Sequence, residues 1–526
     1  MLRISESSLD WALKHIEKHG DTDIFPLPFE YKVIRYFWED GMKKYLLEQD
    51  LLQWTVRPYR RLLTPKHKYG FRIATQLDPL DCIIFTALVY EIGQDIEKYR
   101  ISKEDKICFS NRFQPNRNGD MYDTNYNWKE FQTRSKEIIT GNDDSNPYNY
   151  VVVADVADFF PRIYSHPLEN ALIQSTSKKN YVTAIKRMLN SWNYSVSYGI
   201  PVGPSATRLL AEIAIDDVDR ALLSEMITHC RFVDDYRMFS RTKIEAYKNL
   251  AILANTLFEN HGLTLQQHKT RILTKQEFEA KILISEEKKA TNNLTENLLK
   301  ILDELKINLY DLNMSDEIAE KALPQIESLN MVDILEEQMQ MEEIDFSLVS
   351  FILIRLGKCN DSTALAICLK NIDKLYPIIR VVFTYINELK CLSNQDKSNL
   401  GYKFICSIDT SVVGYLEYYR MWLFDLFAND QSWNNKDKYV ELYNKYTDEF
   451  SRRKLILAMG KANNYPWFKS QKRNLDRFSP WEKRAFLAAI SCLPGDEAKH
   501  WYKSVEKRLD VLEKYIIKWA IKEFKK

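Results

Sequence analysis

The sequence predicts an α+β protein in which a mixed region with a small sheet precedes an all-α C-terminal domain. The run YVVVADV at 150–156 is apolar and rich in β-branched residues, which is typical of a buried strand. From about residue 286 onward, segments of helical length follow one another with short breaks, which is typical of stacked helix pairs. We therefore expect three domains, at 1–149, 150–285 and 286–526.

Composition limits the class of protein. Of the 526 residues, 45% are hydrophobic and 13% aromatic, which is enough apolar material for large cores and excludes wholesale disorder. The 74 Lys and Arg residues balance 73 Asp and Glu residues, so the protein is not basic throughout, although a basic face can still bind nucleic acid. The eight cysteines form no CxxC pair, which argues against a zinc ribbon or a disulfide framework.

The N-terminal segment is polar and amphipathic, and it lacks the apolar core of a signal peptide. No run of about 18 apolar residues occurs, so we expect no membrane partner and no membrane span. These two features predict a cytoplasmic protein.

The N-terminal region begins with a helical pattern around Trp11, Leu13 and Ile16. The segment RPYRRLLTPKHKYGFR at 57–72 follows, with six Lys or Arg residues and no acid, and the segment at 83–98 is again helical. Fixed positive charge without neighbouring acids suits phosphate groups. A solvated basic loop is the alternative interpretation.

The second region alternates helical and strand patterns. In chain order we expect a helix at 166–175, a turn-rich piece at 198–205, one helix at 206–226, a hairpin at 231–240, a helix at 242–262 that ends at Gly262, and a strand pair at 263–274.

The third region reads as successive helices with many aromatic residues, which at helical spacing are more often core than a nucleic-acid platform. We expect a degenerate HEAT-like repeat, with the polar stretch EEKKATNN at 286–293 as its linker and a first helix at 294–306.

Three carboxylates give the sequence its chemistry. Asp155 ends the predicted strand, and Asp234 and Asp235 lie at the predicted hairpin turn. Adjacent strands would bring them to one end of a sheet, where they repel one another unless cations lie between them. Magnesium suits oxygen ligands and triphosphates, and manganese is an alternative ion. Two such ions about 4 Å apart serve nucleotidyl transfer.

Paired aspartates in a turn also occur by chance, so the interpretation depends on the other motifs. Four of them in order resemble motifs A to D of reverse transcriptases, and a fifth resembles their fingers motif: DVADFF (155–160), GIPVGP (199–204), FVDD (232–235), GLTLQQHKT (262–270) and PKHKYGFR (65–72). The resemblance covers about residues 57–275. It implies the fingers and palm of a right-hand polymerase that uses dNTPs.

Within that superfamily the sequence is most similar to bacterial abortive-infection and defence-associated reverse transcriptases. GIPVG precedes a helix that carries Arg208 and Glu212, arginine precedes FVDD, and a large helical domain follows the palm. The resemblance implies anti-phage DNA synthesis, in some members without a template and with a protein tyrosine as primer. It also implies a single-stranded DNA product attached to that tyrosine, and assembly as a trimer or hexamer.

The resemblance also assigns roles to residues. Asp155 and Asp234 would bind both catalytic metals with Asp235 assisting, and Lys269 would protonate pyrophosphate as a general acid. A surface lysine is the alternative for Lys269. Lys66 and Arg72 match the fingers cations that grip the triphosphate.

The main-chain amides of Asp158 and Phe159 would hold the triphosphate. Phe160 stands where reverse transcriptases place an aromatic gate that collides with a ribose 2′-hydroxyl, so it predicts selection of deoxynucleotides. Core packing is the alternative for Phe160.

Pro201, Val202 and Gly203 occupy the place of the usual Pro-Gln-Gly of motif B. Valine cannot make the hydrogen bond of that glutamine, which puts accurate templated copying in doubt. Gly203 still allows the backbone to approach the base or sugar.

Two other functions remain open. One is templated synthesis on a bound RNA, as in retron or intron enzymes, although the retron signatures NAxxH and VTG are absent. The other is a non-catalytic scaffold that binds RNA or a phage protein, against which the intact carboxylate set argues. His166 and Arg231 are expected to be structural.

Overall fold

The structure is a computed structural model that describes residues 1–67, 70–141, 147–193, 196–283 and 331–524. The predicted linker at 286–293 and the predicted helix at 294–306 lie outside these ranges. In the described residues a part with helices and small sheets precedes a helical C-terminal part, so the predicted α+β fold class is confirmed.

The N-terminal half contains twelve named helices and six strands among its described residues. The helices are α1 (Glu6–His19), α2 (Glu30–Tyr36), α3 (Lys43–Leu47), α4 (Pro79–Tyr99), α5 (Trp128–Thr140), α6 (Phe159–Arg162), α7 (Ser165–Ser175), α8 (Lys179–Asn193), α9 (Ser205–Ala214), α10 (Asp216–Ser224), α11 (Lys243–His261) and α12 (Lys275–Phe278). The strands are β1 (Arg60–His67), β2 (Gly70–Gln76), β3 (Tyr150–Asp155), β4 (His229–Phe232), β5 (Asp235–Ser240) and β6 (Arg271–Thr274).

The four-stranded sheet has the order β4-β5-β3-β6, and each neighbouring pair is antiparallel. Strand β3 is central, and its β-branched residues Val151 and Val152 are fully buried. Helix α11 packs against β3, β5 and β6, while α5 packs against β4 and β5. The sheet is therefore covered by helices, and the strand at 150–156 forms as its composition predicts.

The core between the sheet and α5 is made of apolar and aromatic side chains. They are Phe109, Phe131, Ile139, Val151, Cys230, Phe239, Leu273 and Phe278. Each of these side chains is at most 6% exposed, so they are closely packed. The cluster therefore holds one face of the sheet that contains β3 and β5.

The hairpin at 231–240 and the helix before Gly262 are also confirmed. Strands β4 and β5 flank a turn at Val233 and Asp234, and α11 ends at Gly262, which has a left-handed φ of 62°. Glycine adopts that conformation without strain, which makes it a common end to a helix.

Two expectations for the second region were wrong in part. The single helix at 206–226 is two helices, because Ile215 leaves helical geometry with φ −120° and Asp216 accepts a hydrogen bond from the N–H of Ile101 at 2.9 Å. The strand pair at 263–274 is one strand, β6, preceded by a turn whose Gln266 N–H donates to the carbonyl of Asp155 at 2.7 Å.

The C-terminal part contains helices α13 to α25. They are α13 (Met331–Gln340), α14 (Phe346–Lys358), α15 (Leu365–Lys370), α16 (Ile372–Leu375), α17 (Ile379–Glu388), α18 (Asn394–Thr410), α19 (Glu417–Asn429), α20 (Lys436–Lys445), α21 (Glu449–Lys461), α22 (Tyr465–Gln471), α23 (Pro480–Ala489), α24 (Gly495–Val505) and α25 (Val511–Glu523). Helix α14 packs on α17, α17 on α19, α19 on α21, α21 on α23 and α23 on α25. A layer of helices that each contact the next in the series is the arrangement of an α-solenoid.

Residue contacts divide the chain into two units. Unit 1 comprises Met1–Leu27, Gly41–Arg61 and Ala74–Lys289, and unit 2 comprises Pro28–Asp40, Leu62–Ile73 and Ala290–Lys526. Unit 1 contains the four-stranded sheet. Unit 2 contains the C-terminal helices together with α2, which packs against α25.

A buried ion pair joins α2 to the solenoid inside unit 2. Arg453 donates to both carboxylate oxygens of Glu30, at 2.9 and 2.5 Å, and Arg484 lies 3.5 Å from the same carboxylate. Burial alone would raise the pKa of Glu30, but the two arginines lower it from its usual value near 4.5 to about 2.

In the described part of the chain, no helix is both long and apolar enough to cross a membrane. All eight cysteines lie within the described residues, and their thiols form no disulfide there.

We expect Arg453→Ala to destabilise unit 2 by about 3–5 kcal/mol, because it leaves the buried carboxylate of Glu30 without a counter-charge. Thermal unfolding followed by tryptophan fluorescence measures this. Arg508→Ala is the control, because the Arg508–Asp476 pair is 54% and 68% exposed, and we expect it to cost less than about 1 kcal/mol.

Because the pKa of Glu30 is depressed in the fold, the pair stabilises the protein above about pH 4.5, and this stabilisation is lost as the pH falls toward 2. Equal unfolding midpoints for the Arg453 and Arg508 variants at pH 7 would contradict this account.

Candidate functional site

Three carboxylates meet where β3 ends and β5 begins. The antiparallel register places Asp155 directly opposite Asp235, and Asp234 lies in the turn just before β5. The N–H of Val156 donates to the carbonyl of Asp234 at 3.0 Å, which ties the turn to the end of β3. One carboxylate oxygen of each aspartate lies within 4.8 Å of the others.

This crowding has an electrostatic cost. Asp155 is only 7% exposed. Burial, together with the charges of Asp234 and Asp155, raises the pKa of Asp235 to about 7, against the opposing effect of Lys269 and Arg237. A divalent cation removes this repulsion and prefers carboxylate oxygens as ligands. The three residues therefore fit magnesium or manganese.

Lys269 lies beside the carboxylates, as its assignment to motif D implies. Its Nζ is 3.0 Å from Oδ1 of Asp155, and its side chain is 53% exposed. Burial lowers the pKa of Lys269, but its hydrogen bond to Asp155 and the three negative charges outweigh that effect and raise it. A protonated lysine that remains accessible to solvent can hold a proton next to the carboxylates, as a general acid requires.

The segment that follows Asp155 turns sharply. Asp158 has a left-handed φ of 48° and an exposed side chain, Phe159 is 3% exposed, and Phe160 is half-buried. The carbonyl of Phe160 accepts a hydrogen bond from the N–H of Ile200 at 3.0 Å, which joins this segment to the loop that carries Pro201.

The loop of Pro201, Val202 and Gly203 is held by its main chain. The carbonyl of Val202 accepts a hydrogen bond from the N–H of Thr75 at 2.8 Å. Gly203 has φ 136°, and a Cβ at this position would lie 2.9 Å from Cγ2 of Thr22 and 3.1 Å from the carbonyl oxygen of Thr75. A side chain is therefore excluded at Gly203 both by conformation and by space.

Lys66 and Arg72 lie on the β1–β2 hairpin, where both side chains are exposed and Thr64 donates a hydrogen bond to the carbonyl of Arg72 at 3.2 Å. This part of the hairpin belongs to unit 2, whereas the carboxylates belong to unit 1. The contact of these two cations with a triphosphate stays a prediction.

A buried charge network lies behind the Asp234 turn. Arg231 donates to Asp219 at 2.8 and 3.0 Å and to Glu212 at 2.8 Å, and Arg100 donates to Glu212 at 3.1 Å. Burial raises the pKa of Glu212, but Arg231 and Arg100 outweigh it, so the net shift is downward. Glu212 is therefore a buried anion held by two buried cations.

The sequence indicated Arg231 as structural and noted Glu212, but it did not point to Ser110. The hydroxyl of Ser110 donates to Glu212 at 2.5 Å and accepts from the N–H of Val233 at 2.8 Å. Because Ser110 lies 123 residues before Val233 and in no motif, no local pattern signals this contact.

The fold and the carboxylates define a class of protein. A sheet end that gathers three carboxylates beside a lysine can hold the divalent ions that a nucleotidyltransferase uses with a triphosphate.

The family comparison makes this specific. Residues 112–313 match the family model described as reverse transcriptase (RNA-dependent DNA polymerase). The chain therefore contains a reverse transcriptase domain and has the nucleotidyltransferase activity of an RNA-directed DNA polymerase. The predicted reverse-transcriptase-like palm is thereby confirmed.

No curated protein matches the sequence. Apo telomerase from Candida tropicalis is 10% identical with TM-score 0.33, over 75% of this chain and 74% of that one. Telomerase from Candida albicans in complex with a TWJ fragment of telomeric RNA is 11% identical with TM-score 0.33, over 79% and 71%. Likeness at this level carries no inference about this chain.

Proposed function

We propose that this protein is a DNA polymerase of reverse transcriptase type that adds dNTPs to a growing strand as part of bacterial defence against phage. The observation that carries the polymerase proposal is the cluster of Asp155, Asp234 and Asp235 inside a reverse transcriptase domain. The defence role rests on the resemblance of the motifs and of the helical C-terminal domain to abortive-infection enzymes.

In this proposal Asp155 and Asp234 hold two magnesium ions, with Asp235 as an additional ligand. When bound, magnesium would activate the attacking hydroxyl and neutralise the negative charge of the triphosphate. The main-chain amides of Asp158 and Phe159 bind phosphate oxygens. Lys269 donates a proton to the departing pyrophosphate: its raised pKa keeps it protonated, and its contact with Asp155 places it beside the carboxylates.

The nucleotide is held between two segments that the structure joins. The hydrogen bond between Ile200 and Phe160 supports a common pocket for the sugar and base, formed by Phe160 with Pro201, Val202 and Gly203. The ring of Phe160 excludes a ribose 2′-hydroxyl. A role of Lys66 and Arg72 in binding the triphosphate rests on their resemblance to the fingers motif.

Templating is the point on which two functions differ. The side chain of Val202 has no hydrogen-bonding group, and its main-chain carbonyl accepts from the N–H of Thr75, which favours synthesis without strict copying. The family description, RNA-dependent DNA polymerase, favours the second candidate, in which a bound RNA serves as template. Sequencing the DNA made with and without co-purified RNA separates the two.

Three further features rest on the resemblance alone. We propose that a tyrosine hydroxyl of the protein primes synthesis, that the single-stranded DNA product remains attached to it, and that the active form is a cytoplasmic trimer or hexamer. In priming, the phenolic oxygen loses its proton to solvent and bonds to the α-phosphorus of the first dNTP, the bond between the α- and β-phosphates breaks, and pyrophosphate leaves.

We expect Asp234→Ala to abolish incorporation of labelled dNTPs in the presence of magnesium, with a loss of at least about a thousandfold, because the two ions lose one of the two carboxylates that they share. Asp105→Ala, which removes an exposed aspartate in the same unit, should retain full activity. Incorporation by Asp234→Ala at the rate of the Asp105 variant would remove the metal assignment.

Phe160→Ala should raise the use of NTPs relative to dNTPs by about tenfold or more, because removing the ring opens space for the 2′-hydroxyl. The ratio of kcat/KM values for dATP and ATP measures this. Phe258→Ala, a change at a 61% exposed phenylalanine of α11, is the control. An unchanged ratio in the Phe160 variant means that the side chain is only part of the core.

If a tyrosine primes synthesis, labelled DNA will migrate with the protein on a denaturing gel and will be released by protease. Peptide mapping of the nuclease-trimmed product then identifies the tyrosine. DNA that migrates freely after denaturation indicates a separate primer.

A further inference from the structure

The turn that carries Asp234 contains a strained residue. Val233 has φ 54°, in the left-handed region. A β-branched side chain rarely adopts this conformation, because its Cβ substituents crowd the backbone. Such a residue persists only where its surroundings hold it, and it would otherwise return to negative φ and carry the adjacent aspartates with it.

Both backbone groups of Val233 are held from the protein interior. Its N–H donates to Oγ of Ser110 at 2.8 Å, and its carbonyl accepts from Nη1 of Arg231 at 2.9 Å. Two fixed hydrogen bonds, one on each side of the same residue, determine the orientation of both peptide groups that flank it.

Ser110 and Arg231, which hold Val233, both donate to the carboxylate of Glu212. Oγ of Ser110 donates to Oε1 of Glu212 at 2.5 Å, and Nη1 of Arg231 donates to Oε2 of Glu212 at 2.8 Å. Ser110, Glu212 and Arg231 are each at most 1% exposed. Asn111 donates to Oε1 of Glu212 at 3.0 Å and Arg100 to Oε2 at 3.1 Å, so the carboxylate is itself fixed.

We infer that Ser110 is a positioning residue for the metal site, which holds Val233 in its left-handed conformation and thereby sets the place of Asp234 and Asp235. This inference rests on the proposed function in one respect, which is that the aspartates bind a divalent cation. Ser110 touches neither substrate nor metal, and it acts through Val233.

A purely structural role for Ser110 makes a different prediction. The charge of Glu212 is balanced by Arg231 and Arg100, so the uncharged hydroxyl of Ser110 is not needed to bury it. The N–H of Val233, in contrast, has the hydroxyl of Ser110 as its hydrogen-bond acceptor. Its removal should therefore affect the geometry of the turn more than the stability of the unit.

The test is Mn²⁺ binding, followed by electron paramagnetic resonance of the free ion, on the full-length protein and its Ser110→Ala, Ser110→Thr and Ser135→Ala variants. Ser135 is the matched control, because it is fully buried in the same unit and its hydroxyl donates to the carbonyl of Phe131 within α5. We expect Ser110→Ala to weaken Mn²⁺ binding by about tenfold, Ser110→Thr to retain most of the affinity, and Ser135→Ala to bind as the wild type does.

A second background tests whether Ser110 acts through the conformation of Val233, and Ser110→Thr keeps the test open if Ser110→Ala fails to fold. Glycine adopts a left-handed φ without strain, so with Val233→Gly the turn depends less on the hydrogen bond from its N–H to Ser110. The double variant, Ser110→Ala with Val233→Gly, should therefore bind Mn²⁺ within about threefold of Val233→Gly alone. Wild-type affinity in Ser110→Ala, an equal loss in both backgrounds, or a wild type that binds no Mn²⁺ would each overturn the inference.

The readout separates this inference from the polymerase proposal. If the wild type binds Mn²⁺ and the Ser110 variants differ as expected, but no dNTP is incorporated, the positioning role stands and the proposed activity falls. If dNTPs are incorporated while Mn²⁺ affinity is the same in all variants, the positioning role falls and the polymerase proposal stands.

Discussion

Mutual repulsion among three carboxylates is the constraint on which the palm of this protein depends. Asp155, Asp234 and Asp235 place an oxygen each within 4.8 Å of the others in a partly buried position, where their charges are poorly screened. Such a cluster does not form by itself, because every contact among its members is unfavourable without a cation. The surrounding structure must hold it, and the raised pKa of Asp235 records the cost.

The fold meets this constraint from two sides. On one side, the register of β3 with β5 places Asp155 opposite Asp235 through a full ladder of backbone pairs. On the other side, the buried network of Glu212, Arg231 and Ser110 fixes the left-handed turn at Val233. A sheet and a charge network that are both buried are stiff supports, and stiffness is what a preorganised metal site requires.

Local patterns in the sequence were sufficient for the elements that carry the aspartates. The β-branched run predicted β3, the two short apolar runs around Asp234 predicted the hairpin, and Gly262 predicted the end of α11. Each of these signals lies within a few residues of the element it describes. The sequence therefore brought the three carboxylates together correctly, and their role as metal ligands is a proposal.

Contacts between distant residues account for what the sequence did not predict. The helix at 206–226 breaks at Ile215 because Asp216 binds the N–H of Ile101, and Ser110 reaches Val233 across 123 residues. The pair of Glu30 with Arg453 spans 423 residues and places α2 with the C-terminal helices. No periodicity or motif reports such pairings, since they depend on the completed fold.

The central claim is that the end of β3 and the start of β5 form a divalent-cation site. Anomalous diffraction from crystals grown with Mn²⁺ and a dNTP measures this directly, because the manganese signal locates each ion independently of the protein chain. The account predicts a peak within about 2.0–2.6 Å of carboxylate oxygens of both Asp155 and Asp234. Manganese peaks only at other carboxylates, with none shared by these two strands, would contradict it.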